Sequence, residues 1–101
     1  MQKQVNRFIE SHSLSCGALA RYVDLASETG ELGKALQLAT DYGKNAFHPT
    51  ENAREEIGDC LFSLLALCSE MGIDAQDALD KAIDKYETRL TQKGDAGSGH
   101  P

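Results

Sequence analysis

The sequence predicts an all-α protein, and three observations favour that fold class. Apolar residues recur at intervals of three and four in four successive segments, which is the spacing of one helix face. No segment shows the strict alternation of apolar and polar residues that is typical of a half-buried strand. Glycine and proline fall between the segments, where connections between helices are expected. We therefore expect a four-helix bundle subunit, with one domain over residues 1–92.

The first two segments predict a short helix followed by a long one. The first covers residues 2–10 and places Val5, Phe8 and Ile9 on one face. Ser13 or Ser15 can cap the second, because a hydroxyl accepts a hydrogen bond from a free backbone N–H. The second pattern fades near residue 41. The apolar residues expected on this helix are Leu19, Tyr22, Val23, Ala26, Leu32, Leu36 and Leu38.

The third segment predicts a strongly apolar helix after a loop at residues 43–50, GKNAFHPT. Thr50 or Asn52 can start this helix, and Asn52 with Glu55 three residues later resembles a capping box. Its apolar residues cover more than one stripe, which is typical of a central bundle helix or of one shared with a second subunit. These residues are Ile57, Cys60, Leu61, Phe62, Leu64, Leu65, Leu67, Cys68 and Met71.

The fourth segment predicts a helix that ends the folded domain. Gly72 ends the third helix, and Asp74 can cap the fourth, which keeps helical spacing through Leu90. After Gln92 the composition shifts to polar residues and glycine. We therefore expect residues 93–101 to form a disordered tail.

Size and charge narrow the possible functions. A chain of 101 residues buries only about two-thirds of its unfolded surface, so the core is thin and partner subunits can supply further burial. The net charge of −6 and the lack of a basic stripe argue against nucleic-acid binding. A negatively charged substrate would therefore need a bridging cation.

The cysteines and the chain's hydropathy predict a cytoplasmic protein. Cys16, Cys60 and Cys68 form neither a CxxC pair nor an even disulfide set, so we expect buried thiols. The first residues lack the apolar segment of a signal peptide, and no stretch approaches the roughly 18 apolar residues of a membrane span. No membrane partner is expected.

Two pairs of acidic residues form the candidate site. The second helix carries Glu28 and Glu31, and the third carries Glu56 and Asp59, each pair separated by three residues and therefore on one face of its helix. If the two helices run antiparallel, as short connections in a bundle favour, the pairs meet across the interface. The sequence then predicts four carboxylates around one space.

Glycines accompany these acids. Gly30 and Gly58 lie inside the two pairs, and Gly33 follows one turn later. A glycine inside a helix costs about 1 kcal/mol relative to alanine. We therefore expect these glycines to serve the close approach of a helix backbone or of a ligand.

Four converging carboxylates favour a divalent cation. Their mutual repulsion would destabilise the fold or raise their affinity for protons, and a bound cation relieves it. All-oxygen ligands indicate Mg²⁺, or Mn²⁺, rather than zinc or copper. A di-iron carboxylate site is disfavoured, because none of the three histidines follows a glutamate at the Glu-x-x-His spacing. The alternative to a metal site is that these acids bind no ion and lie on a solvent-exposed helix surface.

The residues around these acids resemble a known family. SETGEL at residues 27–32 and EEIGDCLFSLLAL at residues 55–67 are similar to the ExxE and ExxD motifs of the MazG-like all-α nucleoside triphosphate pyrophosphohydrolases. The resemblance covers about residues 8–89. It implies cleavage between the α- and β-phosphates to a monophosphate and pyrophosphate, and a housekeeping role against noncanonical or surplus nucleotides. It also implies a homodimer or homotetramer.

The resemblance assigns roles to the site residues. Glu28, Glu31, Glu56 and Asp59 would be magnesium ligands and catalytic residues, with water as the attacking group. Family members also look similar at a basic cluster on the last helix, three members of which recur every four residues and share a face, so they either neutralise substrate phosphates or form a solvated face. Further substrate-binding candidates are Lys34, one turn beyond Glu31, and Phe8, which with Tyr22 and Phe47 is a candidate to stack on the base. The basic cluster consists of Lys81, Lys85 and Arg89 with Tyr86.

The comparison leaves one role and two alternatives open. Many relatives place a carboxylate where this chain has Ser27, so the general base is unassigned, with Glu55 as a candidate. One alternative function is a catalytically silent helical oligomerisation module. The other is a phosphoribosyl-ATP pyrophosphohydrolase of histidine synthesis, which shares the resembling fold.

Overall fold

The computed structural model describes residues 1–93, which form four α-helices and contain no strand. This confirms the all-α class. The tail predicted for residues 93–101 lies outside the described residues, apart from Lys93 at the end of the last helix. None of the helices in the described part is long and apolar enough to span a membrane. The helices are α1 Gln2–Ser11, α2 Ala18–Ala39, α3 Glu51–Glu70 and α4 Ala75–Lys93.

α2 and α3 form the main pair of the fold and run antiparallel. Their inward positions alternate in steps of three and four residues, which keeps one stripe of each helix facing the other. Two acids, Glu28 and Glu56, occupy half-buried positions in this seam, beside small residues such as Ala35 and Ala53 and the larger Arg21. Three contacts run in opposite order along the two helices: Gly17 with Glu70, Arg21 with Phe62, and Glu28 with Glu56.

The hydrophobic core is small and lies on the other side of α3. Val5 and Ile9 of α1 are buried against Leu65 and Ala66 of α3. Among the described residues, no large side chain is fully buried. α3 therefore packs against two helices through two different faces, as its broad apolar pattern predicts.

α4 makes only sparse contact with the other three helices, through its first turn at Ala75. The radius of gyration is 16.7 Å, against about 13 Å for a compact chain of this length. An apolar stripe of each of the last two helices is consequently exposed. These two stripes are Ile57, Leu61, Leu64 and Met71 on α3, and Leu79, Ile83, Tyr86 and Leu90 on α4.

The start of α2 differs from its prediction. Neither Ser13 nor Ser15 caps this helix, whose N-cap is Gly17 with a φ of 91°. The carboxylate of Glu70, at the end of α3, instead accepts hydrogen bonds from the backbone N–H groups of Cys16 and Gly17 at 2.9 and 2.8 Å. A distant side chain thus satisfies donors that lie just ahead of the helix.

The other predicted helix starts are resolved by the structure. Thr50 caps α3, since its hydroxyl accepts from the N–H of Ala53 at 3.0 Å, so the capping box at Asn52 was wrong. Asp74 caps α4 by accepting from the N–H of Asp77 at 2.9 Å, which confirms that prediction. Gly72 has a φ of 68° just after α3, where a side chain would be strained.

Several burial predictions were wrong, since most of the apolar residues expected on the inner face of α2 are exposed: Leu19, Tyr22, Val23, Ala26, Leu36 and Leu38. Leu19 is 77% exposed on α2, whereas the buried residue near it is the charged Arg21. The reason is that the inward stripe of α2 passes through residues 21, 25 and 28. Each residue advances about 100° around the helix, so position 19 lies on the opposite side from this stripe. Cys16 is exposed rather than buried, and the other two cysteines are half-buried free thiols.

Candidate metal centre between two helices

Three of the four predicted carboxylates converge. Glu28, Glu56 and Asp59 each offer one oxygen, and the three oxygens lie within 4.8 Å of one another. We call this group the carboxylate cluster. Glu28 and Glu56 are half-buried, and Asp59 is exposed at the edge of the seam. The group is therefore held by both helices and remains open to solvent on one side.

Helix geometry explains why these acids meet. Glu28 is a seam position of α2, seven residues before Ala35, which is also buried against α3. Glu56 is the seam position of α3 one turn after Ala53, and Asp59 follows it by three residues. Because the helices run antiparallel, the beginning of α3 lies beside the middle of α2. The expectation that the acid pairs meet across this interface is correct for three of the four.

The cluster concentrates negative charge. The pKa of Glu56 is raised above its usual value, first by burial and then by the charges of Asp59, Glu28, Glu31 and Glu55. Within residues 1–92, the ion pairs of lysine and arginine involve other acids, so no basic side chain of that range neutralises the carboxylate cluster. This charge distribution suits a cation as the occupant.

Glu31 is the one predicted ligand that lies outside the carboxylate cluster. It is exposed on α2, one turn after Glu28, and lies outside the group of three oxygens. Its charge nevertheless reaches Glu56, because it contributes to the raised pKa of that residue. Its role as a fourth ligand stays a prediction.

Cys60 is a neighbour of the cluster that the sequence did not single out. Its thiol pKa is raised by burial and by the charges of Glu28, Glu56 and Asp59. The thiol is therefore held in its neutral form. The sequence could have indicated this neighbour, because Cys60 lies one turn after Glu56 on the same stripe of α3.

The predicted phosphate-binding residues do not meet the cluster within one chain. On α4, Lys81 pairs with Asp77 at 3.3 Å, while Lys85 and Arg89 lie over the ring of Tyr86 at 5.0 and 6.0 Å. None of these cations contributes to the pKa of Glu56. Lys34 is exposed on α2. The carboxylates and the α4 cations are thus separate features of this subunit.

The aromatic candidates fall in different environments. Phe8 meets Phe62 edge to face, with ring centroids 5.8 Å apart, and also contacts His12. Tyr22 and Phe47 are both exposed, the first on α2 and the second in the loop before α3. Of the three, only Phe8 belongs to an aromatic pair of the described residues.

The glycines do not bring helices together. A Cβ atom built on Gly30, Gly33 or Gly58 would meet nothing within 4 Å. The expectation that a helix backbone of the same chain approaches them closely was wrong. Their open surface remains available to a ligand or to another molecule.

Comparison with known proteins agrees with the motif geometry. The family model described as the MazG nucleotide pyrophosphohydrolase domain matches residues 18–92, a range that contains the cluster, Glu31 and the basic cluster of α4. A protein of Bacillus subtilis (strain 168), described as the uncharacterized protein YpjD, is 33% identical over 93 residues, covering 88% of this chain and 82% of YpjD. No solved structure matches.

Proposed function

The chain belongs to the MazG nucleotide pyrophosphohydrolase domain family, and from this premise we propose that it hydrolyses nucleoside triphosphates between the α- and β-phosphates. The products are a nucleoside monophosphate and pyrophosphate. The observation that supports this proposal most strongly is the carboxylate cluster, in which three acidic oxygens lie within 4.8 Å without a basic partner in the described chain. Removal of noncanonical or surplus nucleotides is the physiological role we propose.

Mg²⁺ is the proposed cofactor, because hard carboxylate oxygens are the ligands that this ion prefers. Glu28, Glu56 and Asp59 would hold it, and Glu31 is the fourth proposed ligand. When bound, the ion supplies charge stabilisation for phosphate oxygens and lowers the pKa of an attached water. Asp59, the exposed member, lies where a phosphate group can enter from solvent. Glu55 is our candidate for the general base, since its carboxylate is not used in a capping box.

A homodimer or homotetramer is the proposed active form. Within one chain, the basic cluster of α4 lies apart from the carboxylate cluster. The apolar stripes of α3 and α4 are exposed. Packing these stripes against a second copy would bury them. It would also allow Lys85 and Arg89 of one copy to approach phosphates bound by another, where charge-assisted hydrogen bonds favour binding.

The decisive experiment measures pyrophosphate release. Purified protein is incubated with Mg²⁺ and a panel of canonical and modified nucleoside triphosphates, including phosphoribosyl-ATP. We expect Mg²⁺-dependent release of pyrophosphate from at least one nucleoside triphosphate. Glu28→Gln and Asp59→Asn should each lower kcat by roughly 100-fold or more, since each removes a proposed ligand of the ion that would neutralise the reacting phosphates. The matched control is Glu87→Gln, an exposed acid of α4.

Three other outcomes would redirect the assignment. Absence of turnover with every triphosphate, together with an unchanged oligomer in the two variants, would favour the oligomerisation module. Turnover of phosphoribosyl-ATP alone would favour the histidine-synthesis enzyme. Full activity in Asp59→Asn would show that the metal centre is misplaced.

A further inference from the structure

The side-chain amide of Gln2, at the start of α1, is bonded to both sides of the turn that leads from α3 into α4. Its Nε2 donates to the carbonyl oxygen of Ile73 at 2.8 Å, and its Oε1 accepts from the backbone N–H of Ala75 at 2.7 Å. Building on the proposed function, we propose that Gln2 is a positioning residue, which sets the direction of α4 and thereby places Lys85 and Arg89 at the substrate phosphates.

Gln2 lies at a fixed point of the fold. Its Nε2 also donates to the hydroxyl of Ser69 at 3.1 Å, and that hydroxyl in turn donates to the side-chain oxygen of Asn6. Both amide hydrogens and the amide oxygen of Gln2 therefore have partners, which determines the orientation of the amide. Val5 and Ile9 bury α1 against α3, so α1 cannot shift without opening the hydrophobic core.

α4 depends on this turn for its direction. Beyond its first turn, where Ala75 packs against the core, α4 makes only sparse contact with the other helices. Within residues 1–92, the bonds of Gln2 to Ile73 and Ala75 are the only hydrogen bonds that join α4 or the preceding turn to α1 or α2. Gly72 begins that turn with a φ of 68°, and glycine restricts the backbone least. Gln2 therefore supplies a constraint that the turn itself lacks.

The length of α4 makes its direction important at a distance. The helix has 19 residues and rises about 1.5 Å per residue, so Arg89 lies about 21 Å along it from Ala75. A tilt of about 10° at Ala75 would move Arg89 by about 4 Å. Charge-assisted hydrogen bonds to phosphate are about 2.7–2.9 Å long, so a displacement of this size breaks them. A small change at the first turn thus removes a contact at the far end.

Gln2 acts from outside the range that the family model matches. That range begins at residue 18 and contains α3, α4 and the carboxylate cluster, whereas α1 ends at Ser11. The amide of Gln2 touches the turn and not the proposed metal ligands. Its loss should therefore change the affinity for substrate and leave the affinity for Mg²⁺ unaltered.

The first test is kinetic. Gln2→Met removes the hydrogen bonds but keeps the length of the side chain and its preference for a helix. Substrate binding must then also select the correct direction of α4, so KM for the triphosphate should rise by about 10-fold or more. At saturation α4 is held by the bound phosphates, so kcat should change by less than about 2-fold.

The matched control is Gln4→Met, at an exposed glutamine of the same helix, which should leave both constants unchanged. The rise of the thermal midpoint with Mg²⁺ should be the same in both variants. A purely structural role of Gln2 would lower the thermal midpoint of Gln2→Met without raising KM of the folded protein. Equal KM values in the two variants, or a fall in kcat at constant KM, would overturn the proposal.

The second test measures the direction of α4. Spin labels are placed at Gln37→Cys on α2 and Thr91→Cys on α4, both exposed positions, in a chain whose three cysteines are replaced by serine. Labelled chains are diluted with unlabelled ones, so that distances within one chain dominate. Gln2→Met should widen the distance distribution by about 4 Å or more relative to Gln4→Met, as a tilt of about 10° predicts. Equal widths would overturn the role of Gln2.

These results are distinguishable from failure of the proposed function. If the wild-type protein releases pyrophosphate and Gln2→Met matches Gln4→Met, the positioning role is wrong and the pyrophosphohydrolase activity stands. If the wild-type protein turns over no triphosphate, calorimetric binding of pyrophosphate with Mg²⁺ replaces the kinetic test. Weaker binding by Gln2→Met than by Gln4→Met, together with the wider distance distribution, then supports the proposal, and equal binding or no binding overturns it.

Discussion

Glu56 and Glu70 lie on the same face of α3, four turns apart, and their carboxyl groups experience opposite environments. Burial and neighbouring acids raise the pKa of Glu56. Hydrogen bonds from the backbone of Cys16 and Gly17 lower the pKa of Glu70, with smaller contributions from Ser15 and the charge of Arg21. The same residue type therefore opposes folding in one place and supports it in the other, which makes the two glutamates separable by pH.

Glu56→Gln should stabilise the metal-free protein at neutral pH. The raised pKa means that the folded state disfavours the charged form, so ionised Glu56 destabilises the fold above its pKa. The gain from the substitution should therefore shrink as the pH falls toward and below the usual carboxyl value of 4.5, where both states are protonated. Thermal midpoints in EDTA between pH 4 and about pH 8 measure this, with Glu87→Gln as control.

Adding Mg²⁺ should make the wild-type protein more stable than Glu56→Gln, which reverses the order of their thermal midpoints in EDTA. A ligand that binds only the folded state raises its stability, so the wild-type midpoint should rise with Mg²⁺ concentration. Glu56→Gln lacks one proposed ligand and should rise much less. Equal responses of the two proteins would argue against a metal ion at the cluster.

Glu70→Gln should destabilise the protein with the opposite pH dependence. A depressed pKa in the folded state gives a stabilising contribution that is complete above the unfolded carboxyl value, near 4.5, and is lost as the pH falls through the folded pKa. The difference between wild type and Glu70→Gln should thus be largest near neutrality and disappear in acid. Glu10→Gln, an exposed acid of α1, controls for net charge. A difference that grows in acid would contradict the role assigned to the two backbone hydrogen bonds.

At the scale of residues, features set by local spacing could be predicted from the sequence, whereas contacts between distant residues could not. The acid pairs could be predicted because residues three apart share a helix face. The bond from Gly17 to Glu70 joins residues 53 positions apart, and no local pattern encodes it. Arg21 is intermediate, since its spacing to Leu25 and Glu28 places it on the inward stripe although its charge suggests exposure.

At the scale of helices, the caps provide the sharpest contrast between predicted and observed structure. Thr50→Ala should lower the free energy of unfolding by about 1 kcal/mol, because the hydroxyl accepts from the N–H of Ala53 and alanine leaves that donor unpaired. Asn52→Ala is the matched control. It should have little effect, since the predicted capping box is not formed. Urea unfolding of the two variants measures the difference, and a larger loss in Asn52→Ala would reverse the assignment of the cap.

Helix positions followed from periodicity, but helix orientation did not. The four segments were predictable because each has helical spacing and a glycine, proline or capping residue nearby. For α2, however, apolar residues occur around much of the helix, and Leu19 and Leu38 are exposed while Ala35 and Ala39 are buried. The charged Arg21 is buried on the same stripe as these alanines, so hydrophobicity alone does not select the seam. Which face of α2 is buried therefore depends on its packing against α3, and the pattern of α2 alone does not reveal it.

At the scale of the whole molecule, the subunit exposes apolar surface that a soluble monomer rarely retains. Ile83 and Leu90 of α4 are 44% and 51% exposed, and the apolar stripe of α3 is exposed as well. Such patches are typical of interaction sites. The sequence predicted a thin core and a third helix that is either central in a bundle or shared with a second subunit, and we expect a second copy to pack on the exposed stripe of α4. The number of copies depends on contacts between chains, which one chain's periodicity does not encode.

Replacing Ile83 and Leu90 together by Asp should therefore dissociate the proposed oligomer. Burying one such side chain contributes about 1.5–3 kcal/mol, so losing two should weaken association by at least about 100-fold, and two added acids increase the repulsion. Light scattering should give a wild-type mass of two or four times 10.9 kDa and a variant mass near one subunit. Thr91→Asp, on another face of α4, should leave the mass unchanged. Because Lys85 and Arg89 are proposed to act on a partner's substrate, the dissociated variant should also lose most of its turnover while keeping its helix content. A wild-type monomer with full activity would contradict both the interface and the shared site.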